Sequence, residues 1–153
     1  MGRRVILLLS ATATMVLVAA AAALAVSFTF TNAANNCGGQ ATNAADRLAM
    51  GGGNDICNVV GGGDEVNGDH GNDHIDGAGG NDYLFGSSGE DEVNGALGND
   101  YINVSDHVAG NDAVDCGPGT DRVVRDVAPG GARDSAANCH GNVTNVPVAP
   151  GGP

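Results

Sequence analysis

The sequence predicts an all-β protein, a parallel β-roll of about four 18-residue coils, and two observations carry this prediction. The first is a nine-residue repeat that fills residues 50–124 and loses phase once, at Val104–Asp106. The second is that three repeat positions keep one residue type: Gly at position 4, Asp at position 6 and an apolar residue at position 8. This periodicity is typical of a β-solenoid, because a flexible acidic segment needs no regularly spaced apolar residue.

Each repeat position has a physical role. Glycine at position 4 permits the positive φ of a tight turn, and positions 7–9 form a short strand whose middle residue faces inward. Two units make one coil, so units two apart stack at about 4.8 Å. The clearest unit is Gly77–Phe85, GAGGNDYLF. The eight units occupy residues 50–58, 59–67, 68–76, 77–85, 86–94, 95–103, 107–115 and 116–124.

The position-6 aspartates predict metal binding, because stacked carboxylates repel one another unless a cation lies between them. A hard cation also accepts turn carbonyls, and calcium accepts more irregular oxygen geometry than magnesium. Phosphate is a poor ligand for such acidic turns. The predicted ligands are Asp55, Asp64, Asp73, Asp82, Asp91, Asp100, Asp112 and Asp121. We expect inter-coil calcium sites at Asp55/Asp73, Asp64/Asp82, Asp73/Asp91 and Asp82/Asp100, while the insertion leaves Asp91/Asp112 and Asp100/Asp121 open.

These residues resemble the repeats-in-toxin (RTX) family, also called the hemolysin-type calcium-binding repeat. The resemblance implies a right-handed parallel β-roll that folds when it meets calcium outside the cell, with the eight aspartates and turn carbonyls as ligands. Three units depart from the pattern at their first residues, which are Met50, Val59-Val60 and His107-Val108. Family members often attach such repeats to a protease, lipase or cytolysin, and we expect this chain to have no room for one.

The flanks are expected to export the roll and close its ends. Residues 1–33 carry Arg3-Arg4 and a long apolar stretch, which indicates a signal peptide cleaved after Ala25 or Ala33, or an uncleaved anchor. Either alternative puts the repeats outside the cytoplasm. We expect an N-terminal cap at 34–49, a C-terminal cap at 125–140 and a disordered tail at 141–153.

The cysteines are even in number in a chain predicted to be exported, which favours disulfides. Three pairings are possible, and we favour the pairing that ties each flank to one end of the roll. The predicted bonds are Cys37–Cys57 and Cys116–Cys139. A zinc site is the alternative, but no CxxC spacing supports it.

The net charge and the positions of the aromatic residues limit which kinds of partner the chain can bind. The net charge of −12 argues against nucleic acid or an anionic membrane as a partner. With one inward apolar side chain per unit the core is thin, so we expect the roll to be disordered or molten without calcium. Tyr83, Tyr101 and Phe85 should face outward together, either as a sheet-stabilising ladder or as a patch for a cell-surface glycan or protein.

We therefore expect a secreted, non-catalytic, calcium-binding module with a structural or adhesive role. The alternative is an export and folding accessory of an RTX-type enzyme or toxin. His70 and His74 would need further ligands to hold zinc, and Ser87, Ser88 and Ser105 have no nucleophile-elbow pattern around them. The outward residues at position 7 are too varied for an ice-binding face.

Overall fold

The structure, a computed structural model, describes residues 25–38, 41–108, 110–129 and 133–149. Within these ranges the chain forms short β-strands joined by turns and contains no helix. The strands are β1 Ser27–Thr29, β2 Arg47–Ala49, β3 Ile56–Asn58, β4 Glu65–Asn67, β5 His74–Asp76, β6 Tyr83–Phe85, β7 Glu92–Asn94, β8 Tyr101–Asn103, β9 Ala113–Asp115, β10 Arg122–Val127, β11 Ser135–Ala137 and β12 Asn142–Pro147.

From β2 to β12 the strands alternate between two parallel sheets, and β1 adds to the first of them. One sheet has the order β1-β2-β4-β6-β8-β10-β12, and the other has the order β11-β9-β7-β5-β3. Within the repeat, each strand pairs with the strand two units later in the sequence, so that Leu84 of β6 lies beside Ile102 of β8. This alternation confirms the predicted solenoid, in which two nonapeptides make one coil.

The core is a double column of inward side chains from the strands, joined by buried residues that directly follow a strand, such as Met50, Val59 and Cys116. Each three-residue strand of the repeat buries its middle residue, which is position 8 of the unit. Ile75, Leu84 and Ile102 are completely buried, while residues at positions 7 and 9 are exposed or half-buried. The period-2 alternation of a strand therefore acts here over only three residues.

The solenoid is longer than the repeat, with twelve described strands in about six coils instead of the expected four. β2 and β11 continue the sheets into the segments 34–49 and 125–140, which we expected to be caps. β12 pairs with β10 along six residues inside the segment expected to be a loose tail. These flanks lack the regular glycines, yet they still present Leu48 and Val143 to the core, and that inward residue is enough to extend the stack.

Both predicted disulfides are present. Cys37 is bonded to Cys57, whose side chain is an inward residue of β3, and Cys116 is bonded to Cys139. Each bond joins adjacent coils near one end of the solenoid, across 20 and 23 residues of sequence respectively. The described segments contain no helix long and apolar enough to cross a membrane. Most of the predicted export segment, residues 1–24, lies outside the described residues.

Candidate metal centres

The eight position-6 aspartates form two ladders, one along each turn edge of the solenoid. One Oδ1 oxygen of each accepts a hydrogen bond from the backbone N–H of the residue one coil earlier, at 2.6–3.0 Å. Asp73 Oδ1, for example, accepts from Asp55 N at 2.9 Å. The side chains are at most 3% exposed, so the ladders lie inside the turns and not on the surface.

The second oxygen of each of these carboxylates has no protein partner. Oδ2 is buried without a hydrogen bond in all eight residues: Asp55, Asp64, Asp73, Asp82, Asp91, Asp100, Asp112 and Asp121. A buried carboxylate oxygen without a partner is strongly unfavourable, and eight equivalent ones indicate a common missing ligand. Because the orphaned atom is an acceptor, a cation fits it.

Backbone oxygens lie next to the orphaned atoms. A Cβ built on Gly68, at position 1, would lie 2.3 Å from Asp73 Oδ2 and 2.6 Å from the carbonyl oxygen of Gly86. A Cβ on Gly77 would meet Asp82 Oδ2 and the carbonyl oxygen of Gly95 in the same way, at 2.7 and 2.9 Å. Glycine at position 1 therefore leaves two oxygens uncovered near one point, one from the carboxylate of its own unit and one from a backbone carbonyl of the next coil. Both are oxygen ligands of the kind that calcium binds.

The electrostatic environment opposes ionisation of the metal-free ladders. Burial, with a smaller effect of neighbouring aspartates, raises the pKa of both Asp73 and Asp82 to about 6 against the backbone hydrogen bonds that lower it. Burial, with Asp134 and Asp91 nearby, raises the pKa of Asp112 to about 8. Burial is also the main cause of the raised pKa of Asp55, Asp64, Asp91 and Asp100. A bound cation would remove this penalty.

The three-residue insertion leaves both ladders intact. Asp91 N donates to Asp112 Oδ1 at 2.9 Å, and Asp100 N donates to Asp121 Oδ1 at 3.0 Å, across 21 residues instead of 18. Val104 directly follows β8, is completely buried, and donates its N–H to the carbonyl oxygen of Val124 at 3.0 Å, as the first residue of other units does in its own coil. The two aspartate pairs that the sequence left open thus have the same hydrogen-bond geometry as the four in phase.

Three further buried aspartates differ from the eight, because protein donors reach both oxygens of each carboxylate. Asp46 accepts bonds from Val26 N and from Thr42, whereas Asp126 accepts from Asp106 N and the Ser105 hydroxyl. Asp134 accepts from the backbone nitrogens of Gly110 and Asp126.

Sequence reasoning missed these three aspartates. Asp46 was findable, because residues 41–49 continue the phase with Asp46 at position 6 and Leu48 at position 8, and only the glycine at position 4 is absent. Asp134 lies 22 residues after Asp112, so the fixed period gives no signal for it.

Side-chain clustering alone does not define these centres. Among the described residues, no group of three or more His, Cys, Asp or Glu side chains surrounds one point. A cation would therefore depend on position-6 carboxylates together with turn carbonyls, as the repeat predicts. His70 and His74 do not converge either, since His70 Nδ1 contacts Ser88 Oγ at 2.7 Å and His74 Nδ1 contacts Glu92 Oε2 at 3.2 Å.

The three aromatic residues form one cluster on the outer face of the larger sheet. The Tyr101 ring lies 5.8 Å from that of Tyr83 and 5.9 Å from that of Phe85, between centroids. The guanidinium of Arg122 lies 5.5 Å from the centre of the Tyr101 ring. Tyr83 is 56% exposed, so the cluster is accessible from solvent.

Fold and turn chemistry together define the class of protein: a parallel β-solenoid whose acidic turns are built to hold hard cations. Comparison with protein-family models matches the RTX calcium-binding nonapeptide repeat in three overlapping windows, 50–84, 58–93 and 67–102. Residues 50–102 are therefore similar to the RTX calcium-binding nonapeptide repeat, in agreement with the sequence motif. Searches of curated proteins and of solved structures found no match to the chain.

Proposed function

We propose that this chain is a secreted, non-catalytic module that folds when it binds calcium and then serves as an extracellular structural or adhesive element. The observation that carries this proposal is the row of eight buried carboxylates whose Oδ2 atoms have no protein partner. When bound, calcium would supply positive charge to carboxylate and carbonyl oxygens that otherwise face one another. The chain's own contribution is to align those oxygens through the glycine turns and the Oδ1 hydrogen bonds.

The exposed histidine and serine pair supports a non-catalytic role. His70 Nδ1 lies 2.7 Å from Ser88 Oγ, a spacing that would also suit nucleophile activation. The Ser88 hydroxyl also lies in donor geometry to the carbonyl oxygen of Asp69 at 3.1 Å, and an N–H at His70 Nδ1 would complete this arrangement. These contacts are explained by a link between adjacent coils, because His70 and Ser88 lie 18 residues apart in stacked turns.

The experiment that tests calcium-dependent folding is a titration of the mature chain followed by circular dichroism and calorimetry. We expect a sheet spectrum in calcium and its loss in chelator. Asp82→Ala should lower the number of bound ions, whereas Asp76→Asn, which removes the same charge at position 9 and keeps an acceptor for Ala78 N, should leave it unchanged. A sheet spectrum that is indifferent to chelator would contradict the proposal.

The adhesive role is carried by the cluster of Tyr83, Phe85 and Tyr101. Exposed aromatic rings beside a guanidinium suit a glycan or a protein surface. We expect Tyr83→Ala to reduce binding on an array of extracellular glycans and proteins, while Ile56→Ala, at the equivalent strand position of the other sheet, should not. If Tyr83→Ala lowers only the unfolding midpoint, the cluster is a stabilising ladder.

A further inference from the structure

Asn35 occupies an aspartate position at the N-terminal end of one ladder. Its backbone N donates to Asp55 Oδ1 at 2.6 Å, and Ile56 N donates to the Asn35 carbonyl oxygen at 3.0 Å. The same two bonds join Asp55 to the following coil, where Asp55 N donates to Asp73 Oδ1 and His74 N donates to the Asp55 carbonyl. Asn35 therefore lies in register with the metal ladder but carries an amide in place of a carboxylate.

The amide nitrogen of Asn35 is surrounded by oxygen atoms. It donates to the carbonyl oxygens of Thr31 at 2.9 Å, of Met50 at 3.2 Å and of Ala33, and it lies 3.2 Å from Asp55 Oδ1. Three of these oxygens belong to turn carbonyls and the fourth to a carboxylate, a donor set that suits a hard cation. An NH₂ group with two hydrogens shared among them is the neutral equivalent of such a cation.

The aspartates further along the ladder share the position-1 carbonyl of this arrangement but lack the donor. Asp73 Oδ2 lies beside the Gly86 carbonyl, which holds the place in its coil that the Met50 carbonyl holds next to Asn35. Here the side-chain atom is an acceptor facing an acceptor, and it has no partner. At the contact with the position-1 carbonyl, Asn35 presents a nitrogen that donates, whereas Asp73 presents an oxygen that cannot.

We propose that the Asn35 amide takes the place of a calcium ion and closes this ladder at its N-terminal end without metal. This inference rests on the proposed calcium-binding function. It sets Asp55 as the first aspartate of its edge that requires a cation, and it makes the coil containing Cys37 independent of calcium. The opposite edge ends in an analogous way, because Thr42 N donates to Asp46 Oδ2 at 2.6 Å.

The test is to restore the carboxylate. Asn35→Asp should raise the number of calcium ions bound in a calorimetric titration by one and make the hydrogen-exchange protection of the Ile56 amide calcium-dependent. The matched control is Asn36→Asp, which adds the same charge at the next residue, where the side chain is exposed and accepts a bond from Gly38 N. We expect Asn36→Asp to bind the same number of ions as the wild type.

If Asn35→Asp folds poorly, the inference is tested by the reverse change, Asp73→Asn. Asp73→Asn should lose one or two ions yet retain a sheet spectrum at a calcium concentration lower than the wild type requires, because the amide satisfies the turn. The inference is overturned if the wild type binds calcium while Asn35→Asp and Asn36→Asp bind the same number of ions, or if Asp73→Asn stays unfolded in saturating calcium. A wild type that binds no calcium would instead overturn the proposed function itself.

Discussion

At the residue scale, the glycines of each unit differ in what they tolerate. Gly80, at position 4, has φ of +143°, and a Cβ on it would lie 1.4 Å from the carbonyl oxygen of Gly62 in the preceding coil. Gly79 is its neighbour in sequence, yet the nearest atom to a Cβ there is 3.9 Å away. The repeat already separates the two glycines, because position 4 is always Gly and position 3 varies, and the stacking of coils supplies the physical reason.

Gly80→Ala should therefore destabilise the calcium-loaded roll by about 3 kcal/mol or more, because backbone strain and overpacking add at one site. Gly79→Ala is the matched control, and its free energy of unfolding should stay within about 1 kcal/mol of the wild type. Denaturant unfolding of both variants in saturating calcium measures the difference. Equal losses for the two variants would show that the coils do not stack at position 4.

At the element scale, the insertion at Val104–Asp106 has a structural role of its own. Val104 is completely buried, the Ser105 hydroxyl donates to Asp126 Oδ1 at 2.9 Å, and Asp106 N donates to Asp126 Oδ2 at 2.8 Å. The extra residues thus satisfy a buried carboxylate of β10 with protein donors. Phase is lost in the sequence, but pairing register between β8 and β10 is kept.

Deleting Val104–Asp106 restores the nine-residue phase, and we expect it to destabilise the protein. The deletion removes one buried apolar side chain, worth about 1.5–3 kcal/mol, and two of the three donors to the Asp126 carboxylate, leaving His107 N. Ser105→Ala, which removes a single hydrogen bond, should lose only about 1 kcal/mol. Thermal unfolding in calcium tests both variants. A deletion variant that is more stable than the wild type would mean that the insertion is dispensable.

The C-terminal disulfide is a second feature of this scale. Cys116 and Cys139 close 23 residues of chain, which include β10 and β11. Replacing both with alanine should lower the free energy of unfolding by about 3 kcal/mol, since the bond restricts the unfolded chain. The unfolding midpoint in denaturant provides the measurement, with the intact Cys37–Cys57 bond as the internal reference. No change in midpoint would show that β12 alone holds this end.

At the scale of the whole molecule, a narrow apolar core lies between two ladders of buried carboxylates. The core contributes one inward residue per strand, while burial raises the pKa of seven aspartates on both sides of it. A carboxyl group whose pKa rises on folding stabilises the fold when it is protonated. That stabilisation is fully present below its ordinary pKa of about 4 and is lost as the pH rises through the folded value.

We therefore expect the metal-free chain to gain sheet structure as the pH falls from 8 towards 4. The steepest change should come near the folded pKa of Asp73 and Asp82, about 6, and an earlier one near that of Asp112, about 8. Calcium affinity should change in the opposite direction, because binding requires the ionised carboxylates. Circular dichroism of metal-free protein across this range checks the first expectation. Loss of sheet on acidification would contradict it.

Local sequence was sufficient to predict most of the candidate site. Position 6 identified the eight aspartates, and spacing of two units identified which of them stack, as in Asp55 and Asp73. The flanks were harder, because Asp46 lacks its glycine and Asp134 lies outside the fixed period. Such residues join the ladder through strand pairing, which depends on the whole stack and not on the nearby sequence.

The sequence by itself determined the coil length, the inward residue of each strand and the carboxylate that each turn presents, since these follow from turn and strand stereochemistry within nine residues. Only the tertiary structure decided where the ladders end and which carboxylates have protein donors. Asp82 and Asp46 have the same position and burial, but Thr42 reaches Asp46 and no donor reaches Asp82 Oδ2. The physical reason is that the folded turn backbone places the donors: Thr42, four residues before Asp46, directs its N–H to Oδ2, while the Oδ1 donors come from adjacent coils, 18 or more residues away in the chain.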